Sequence, residues 1–156
     1  MPSKPHKMAI ILGWLGVLPF VLAGMISFSN DPALVLFSAE LASRYGLSII
    51  IFLGAVHWGW AMKDGNNGAS VRYLWSITPA LIATLVLFMA PAYSLNIILG
   101  LLVMCWIIDM LFHMNTAMPD WYIRLRHGLT FVAICSVATV SLRVSVWVPI
   151  WGEFWV

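Results

Sequence analysis

The sequence predicts an all-α integral membrane protein, a bundle of five transmembrane helices. Of its 156 residues, 62% are hydrophobic and only 9% are charged, and the mean hydropathy is +0.95. Soluble domains are about 45–50% apolar and about 25% charged. The few charges lie between long apolar runs, each of which must satisfy its backbone within lipid as a helix. The net charge of +2 comes with no basic stripe, which excludes a nucleic-acid surface.

The apolar runs place the five spans in a single domain, at residues 8–28, 45–62, 73–90, 95–112 and 127–148. The first span follows Lys4 and Lys7, as a signal peptide would. Its apolar run is longer than a signal-peptide core and lacks a clean small-residue cleavage site, so we expect it to be retained.

The second span is predicted to belong to a longer helix. Asp31 can cap free backbone amides and Pro32 suits the first helical position, so the helix should begin there and run to Met62. At 1.5 Å per residue its length would be about 45 Å. Its first turns should therefore protrude from the membrane.

The remaining spans follow one another through short links. Residues 91–93 barely separate the third span from the fourth, so neighbouring helices should pack antiparallel. Pro19 and Pro79 predict interruptions within the first and third spans. After the last span, the Trp-rich residues 149–156 are expected to lie at the interface rather than to form a sixth span.

The basic residues predict a cytoplasmic N-terminus and a periplasmic C-terminus. Cytoplasmic loops carry an excess of Lys and Arg. With the N-terminus inside, only Arg44 and Arg143 fall near the outer face, against six basic residues on the cytoplasmic side: Lys4, Lys7, Lys63, Arg72, Arg124 and Arg126.

Ionisable groups within spans are candidate functional residues, because burying them is costly unless they are paired. Counting along the helices places His57 and Asp109 at one level in the cytoplasmic leaflet, with Thr78 close to it. His113 and His127 should lie one turn nearer the cytoplasm. Polar groups of four helices are thus expected to converge.

The fourth span carries Cys105, Asp109 and His113 at intervals of four residues, on one helix face. Three interpretations stay open. Asp109 can accept hydrogen bonds from His57 or His113 as a structural lock between helices. It can belong to a ligand or proton site. His57, His113 and His127 can also serve as ligands of haem or copper.

Two further segments flank this level. His57 and Trp58 lie between Gly54 and Gly59, where a neighbouring helix can approach closely. Arg124, Arg126 and His127 follow Trp121 and Tyr122 near the start of the last span, an arrangement that suits a basic membrane anchor or an anionic ligand.

Standard enzyme signatures are missing from the sequence. It contains no Gly-rich phosphate loop, no His-Glu-x-x-His helix and no Cys-x-x-Cys pair. We therefore favour a non-catalytic role.

The segments 54–59, 72–79 and 121–126, together with Asp109, resemble a family of small bacterial membrane proteins of unknown function, which also includes the mitochondrial transmembrane protein 69. The resemblance covers about residues 8–148 and implies a bundle of about five spans in a bacterial inner membrane. It implies no activity. The positions that match the family pattern are His57, Arg72, Asp109, Trp121, Arg124 and Arg126.

The leading functional hypothesis is an accessory or assembly factor of the bacterial inner membrane. It would bind another membrane protein, such as a respiratory complex, or a small lipophilic ligand at the polar level. A redox protein that holds haem, quinone or copper is the alternative, and a small proton-coupled transporter is the third. The candidate site residues are His57, Trp58, Arg72, Thr78, Asp109, Trp121, Arg124 and Arg126.

Overall fold

A computed structural model describes residues 6–64, 69–115 and 118–147, and within these ranges every regular element is a helix. The helices are α1 (Lys7–Leu15), α2 (Leu18–Ile26), α3 (Pro32–Asp64), α4 (Ala69–Val86), α5 (Pro91–Asn115) and α6 (Asp120–Trp147). Within the described residues, five segments are long and apolar enough to cross a membrane, and α1 and α2 together form one of them. The predicted five-span helical bundle is therefore confirmed. The predicted interfacial tail, residues 149–156, lies outside the described residues.

The first span is broken between Leu15 and Leu18, as Pro19 predicts. Proline has no backbone N–H to donate to the carbonyl four residues earlier, and its ring crowds that carbonyl. At the break, the Gly16 carbonyl accepts a hydrogen bond of 2.6 Å from the Tyr45 hydroxyl of α3. The bond satisfies a backbone acceptor that lipid could not satisfy.

The third helix begins where the sequence predicts, at Pro32. The Asp31 carboxylate accepts a 2.9 Å hydrogen bond from the Ala33 amide, which caps one of the free amides of the first turn. The interruption predicted at Pro79 is wrong, because α4 continues through this residue from Ala69 to Val86. Transmembrane helices tolerate such prolines when a neighbouring helix packs against them.

Several helix ends differ from the predicted span limits. Helix α4 both begins and ends four residues before the predicted span, and α5 begins at Pro91, the residue expected in the link. Proline is favoured at the first helical position because its missing N–H is not needed there. Helix α6 begins at Asp120, seven residues before the predicted span.

Helix α3 is the centre of the bundle and packs against α2, α4, α5 and α6. The core lies among α2, α3, α5 and α6, where Phe20, Ile50, Ile98 and Val137 are fully buried. Helix α4 packs mainly against α3. The polar residues of α3 therefore face most of the other helices.

Among the described residues, one end of the bundle carries more exposed basic residues than the other. We call the end at which α1, α4 and α6 begin the basic end; it carries Lys7, Lys63 and Arg124. At the opposite end, Arg143 of α6 donates to the carbonyl oxygens of Ser27 and Ser29, at 3.0 and 3.4 Å. These bonds tie the end of α6 to the link between α2 and α3.

Candidate functional site

Three buried ionisable residues from three helices meet inside the bundle. The Asp109 carboxylate of α5 lies between His57 of α3 and Arg126 of α6: His57 Nε2 is 2.8 Å from Oδ1, and Arg126 Nε donates to Oδ2 at 2.5 Å. All three residues are at most 6% exposed. We call this group the His57–Asp109–Arg126 cluster.

The cluster lies at one depth below the basic end. Each of its members is six or seven residues from the end of its helix, or roughly 10 Å at 1.5 Å per residue. The sequence prediction that His57 and Asp109 share a level agrees with this geometry. We expect this level to fall within the apolar layer, about 30 Å thick, that a spanning helix must cross.

Pairing is what allows charge at this depth. An isolated charge in the membrane costs several kcal/mol, whereas Asp109 offers each of its two oxygens to a different donor. Two polar atoms of the cluster nevertheless have no hydrogen-bond partner among the described residues, His57 Nδ1 and Arg126 Nη2. Each carboxylate oxygen thus has one protein donor, and donor capacity is left over on Arg126.

Arg72 of α4 approaches the cluster through an aromatic ring. Its guanidinium carbon lies 5.2 Å from the centre of the Phe112 ring, and the same ring lies 4.9 Å from the His57 imidazole. Arg72 itself is only 3% exposed. The Phe112 ring thus contacts both Arg72 and His57.

Trp58 and Thr78 do not join the cluster. Trp58 is about half exposed and packs edge-on against Tyr73, with ring centres 4.9 Å apart. The Thr78 hydroxyl donates to the Leu74 carbonyl within α4, at 2.8 Å. The expectation that Thr78 joins a polar site is not supported by the contacts it makes.

The two arginines near the start of α6 have different surroundings. Arg126 is buried against Asp109, whereas Arg124 is exposed. Two residues along a helix correspond to about 200° of rotation, so both cannot face the same neighbour. Arg124 keeps the position of a basic anchor, but Arg126 does not.

The three histidines proposed as metal ligands have three different partners. His57 contacts Asp109, and His127 Nδ1 accepts a 2.9 Å hydrogen bond from Trp106. His113 lies 3.2 Å from the Met118 carbonyl and 3.5 Å from the Asp120 carboxylate. Within the part of the chain that the structure describes, no group of three or more His, Cys, Asp or Glu is placed to hold a metal ion.

A cavity of about 400 Å³ lies beside the cluster, between the broken first span and helices α3 and α6. Its walls are almost entirely apolar, and Trp121 and Tyr122 line it near the basic end. Arg126 and Thr130 are the polar residues of the lining whose side chains are buried, at 6% and 5% exposure. The cavity therefore combines an apolar volume with two hydrogen-bonding groups at one place.

Sequence reasoning missed the Asp109–Arg126 contact and Thr130. With the last span expected from residue 127, Arg126 was placed at the rim, whereas in the structure it lies nearly two turns inside α6. The helix-start pattern of Pro119 and Asp120 was the available signal, since acidic residues favour a first helical turn. Thr130, four residues after Arg126, then lies on the same helix face.

Close packing of α3 on α4 holds His57 in place. A Cβ atom on Gly54 would lie 2.5 Å from the Ser76 carbonyl oxygen and 3.2 Å from the Pro79 ring. Only glycine allows these helices to approach so closely. Gly59 has nothing within 4 Å of such a Cβ, so the predicted close approach applies to Gly54 alone.

Comparison with known proteins agrees with a membrane protein whose activity is not assigned. The chain is 29% identical over 148 residues to Transmembrane protein 69 of Xenopus tropicalis, which covers 90% of this chain and 56% of that protein. The chain thus spans little more than half the length of that relative. No solved structure matches. Residues 5–142 match the family described as protein of unknown function (DUF3429), and the chain therefore belongs to this family.

Proposed function

We propose that this chain is a non-catalytic membrane protein that binds a small lipophilic ligand in the cavity beside the His57–Asp109–Arg126 cluster. The observation that carries the proposal is the cavity itself, whose lining is apolar except for Trp121 and Tyr122 near the basic end and for the buried residues Arg126 and Thr130. Pockets for small molecules are typically about 300–1,000 Å³, mostly apolar, with a few placed polar groups. The volume of about 400 Å³ lies within this range.

The state of the carboxylate supports binding over catalysis. Asp109 has both oxygens engaged by protein donors. A general base must lie within hydrogen-bond reach of the proton that it abstracts, whereas Asp109 is 1% exposed and is not among the residues that line the cavity. The cluster therefore supports a role in fixing Arg126 beside the cavity rather than in transferring protons.

We place this function in a bacterial cytoplasmic membrane, with the basic end facing the cytoplasm, and in an accessory or assembly role. The bias of basic residues towards this end supports the orientation. The resemblance to small bacterial membrane proteins supports the compartment. In such a role, the chain would pass the bound ligand to a partner protein in the same membrane, or would contact that partner only when the ligand is bound.

Filling the cavity tests the proposal. Leu129 lines the cavity, whereas Leu142 of the same helix is 68% exposed. We expect Leu129→Trp to remove lipophilic adducts seen by native mass spectrometry of the purified protein, because the indole occupies their volume. Leu142→Trp, which faces outward, should retain them.

Both variants should first give the wild-type helix content by circular dichroism. If the Leu129→Trp protein is folded and carries the same adducts as Leu142→Trp, the cavity is not the binding site and the proposal is overturned.

A further inference from the structure

The lining of the cavity specifies the chemical class of its ligand. We propose that the ligand is a lipophile whose head is an uncharged carbonyl group, which accepts hydrogen bonds from Arg126 and Thr130. This inference rests on the proposed function, since it assumes that the cavity holds a ligand. It specifies the residues that bind the head group and the kinds of head group that bind weakly.

Thr130 is distinguished from the other threonines that the structure describes. Threonine in a helix usually donates its hydroxyl to the carbonyl four residues earlier. The hydroxyls of Thr78, Thr84 and Thr139 do so, each at 2.8 Å. The Thr130 hydroxyl is buried and has no partner among the described residues. A buried hydroxyl without a partner costs free energy. A ligand that accepts its hydrogen bond removes this cost and is bound more tightly.

Arg126 provides a second donor on the same face. Residues four apart on a helix are neighbours, so the Arg126 and Thr130 side chains emerge together, and both line the cavity. Arg126 uses Nε to bind Asp109, and its Nη2 has no partner among the described residues. Arg126 Nη2 and the Thr130 hydroxyl are both buried in the ligand-free structure, so we expect the two side chains to turn towards an acceptor group when it enters the cavity.

Charge balance favours a neutral acceptor over an anion. The Asp109 carboxylate already compensates the Arg126 guanidinium, at an N–O distance of 2.5 Å. An ionised carboxylate or phosphate would bring an uncompensated charge into an apolar cavity and lie close to Asp109. Desolvation makes such a burial unfavourable. A carbonyl oxygen accepts the same hydrogen bonds at a much smaller desolvation cost.

The cavity is reached from the side of the bundle. Leu12 and Phe52 line it and are also about 60% exposed, so its mouth faces the acyl chains rather than water. A molecule dissolved in the bilayer enters tail and head together. Two sources share the required head chemistry, the ester carbonyl of an acylglycerol and the ring carbonyl of a prenylated quinone.

A matched set of probes tests the head group. We would measure the bound fraction by native mass spectrometry in one detergent, using methyl laurate, ionised lauric acid, dodecane and decyl-benzoquinone. Methyl laurate or the quinone should bind at least about fivefold more tightly than dodecane, as one to two hydrogen bonds allow. The tighter of the two indicates the source. Lauric acid should bind more weakly than its ester.

Thr130→Val tests the donor. Valine keeps the shape of the side chain but removes the hydroxyl, so the carbonyl probes should lose about fivefold in affinity while dodecane binding is unchanged. The ligand-free variant should be as stable as the wild type or more stable, because a buried unpartnered group is gone. Thr139→Val, on the same helix, is the control and should change neither affinity.

The outcomes separate the two proposals. If dodecane binds as tightly as methyl laurate, or if lauric acid binds most tightly, the neutral carbonyl is wrong although the cavity ligand stands. If no probe binds to the wild type, or if each binds equally to Leu129→Trp, both proposals fail. If Thr130→Val loses no more affinity for the carbonyl probes than Thr139→Val does, the assignment of Thr130 is overturned.

Discussion

Asp109 is the residue on which the buried charge of the bundle depends. Its carboxylate holds His57 and Arg126 at once, so its loss leaves two donors without their acceptor. Neutral hydrogen bonds between transmembrane helices contribute about 0.6 kcal/mol on average. Removing one partner of a buried ion pair costs about 3–5 kcal/mol, because the other charge stays buried and uncompensated. The second magnitude should apply here.

We therefore expect Asp109→Asn to lower the free energy of unfolding by about 3 kcal/mol. Asparagine keeps the volume but removes the charge that compensates Arg126. Reversible unfolding in mixed detergent micelles measures the effect. In a double-mutant cycle, Arg126→Gln in the Asp109→Asn background should restore part of the loss, since the uncompensated cation is then gone.

Asn96→Ala provides the control on the same pair of helices. The Asn96 side chain accepts a 2.9 Å hydrogen bond from Ser141 of α6, and its loss should cost less than 1 kcal/mol, as for a neutral pair. Equal effects of Asp109→Asn and Asn96→Ala would contradict the argument from buried charge.

At this scale, the depth of a residue along its helix could be predicted from the sequence. The direction in which its side chain points and its hydrogen-bond partner could not. Counting residues placed His57 and Asp109 at one level, and they are in contact. The same counting placed Thr78 nearby, yet its hydroxyl bonds within its own helix. Which face of α6 carries Arg126 towards Asp109 depends on packing between helices, and an isolated apolar sequence does not encode that rotation.

At the scale of elements, one close approach between α3 and α4 depends on Gly54. A Cβ on Gly54 would overlap the Ser76 carbonyl oxygen, which is backbone and cannot rotate away. Overpacking of this kind costs about 1–3 kcal/mol. The strain would act within one turn of His57, on the helix that carries it.

Gly54→Ala should therefore destabilise the protein by about 1–3 kcal/mol, seen as a lower midpoint of thermal unfolding in detergent. Gly59→Ala is the matched control, since nothing lies within 4 Å of its added Cβ. Alanine favours a helix more than glycine does, so this variant should be neutral or slightly stabilising. If Gly54→Ala is as stable as Gly59→Ala, α3 and α4 do not pack as closely as described.

The start of a helix could be predicted where the sequence contains a recognisable N-cap residue. Asp31 and Pro32 mark the start of α3, and the Asp31 carboxylate caps the Ala33 amide. The start of α6 was placed too late because hydropathy falls across Trp121 to His127, although the helix already extends through them. Hydropathy predicts which residues lie in lipid. Capping residues predict where the helix itself begins, which can be several residues earlier.

At the scale of the whole molecule, the number of spans follows from a strong constraint. Lipid offers no hydrogen bonds, so each apolar run must form a helix, and the described residues contain five such segments. We expect this odd number of crossings to place the first and the last span's outer ends on opposite sides of the membrane. Direction depends on a weaker signal, the distribution of Lys and Arg.

We expect the basic end to face the cytoplasm. In a bacterial host, alkaline phosphatase fused after residue 156 should be active, because it folds outside the cytoplasm, and green fluorescent protein fused there should be dark. Fusions truncated within the link at residues 65–68 should give the opposite pair of results. A fluorescent C-terminal fusion with inactive phosphatase would reverse the orientation.

The order of the chain gives the cluster a further property during biosynthesis. His57 enters the membrane with the second span, Asp109 with the fourth and Arg126 only with the last. Until α6 is made, the carboxylate has His57 as its partner from the cluster and lacks the arginine. The Asp109 carboxylate therefore gains its arginine partner only when the last helix of the bundle is made. A nascent chain that stops short of α6 therefore carries a carboxylate that lacks its arginine partner.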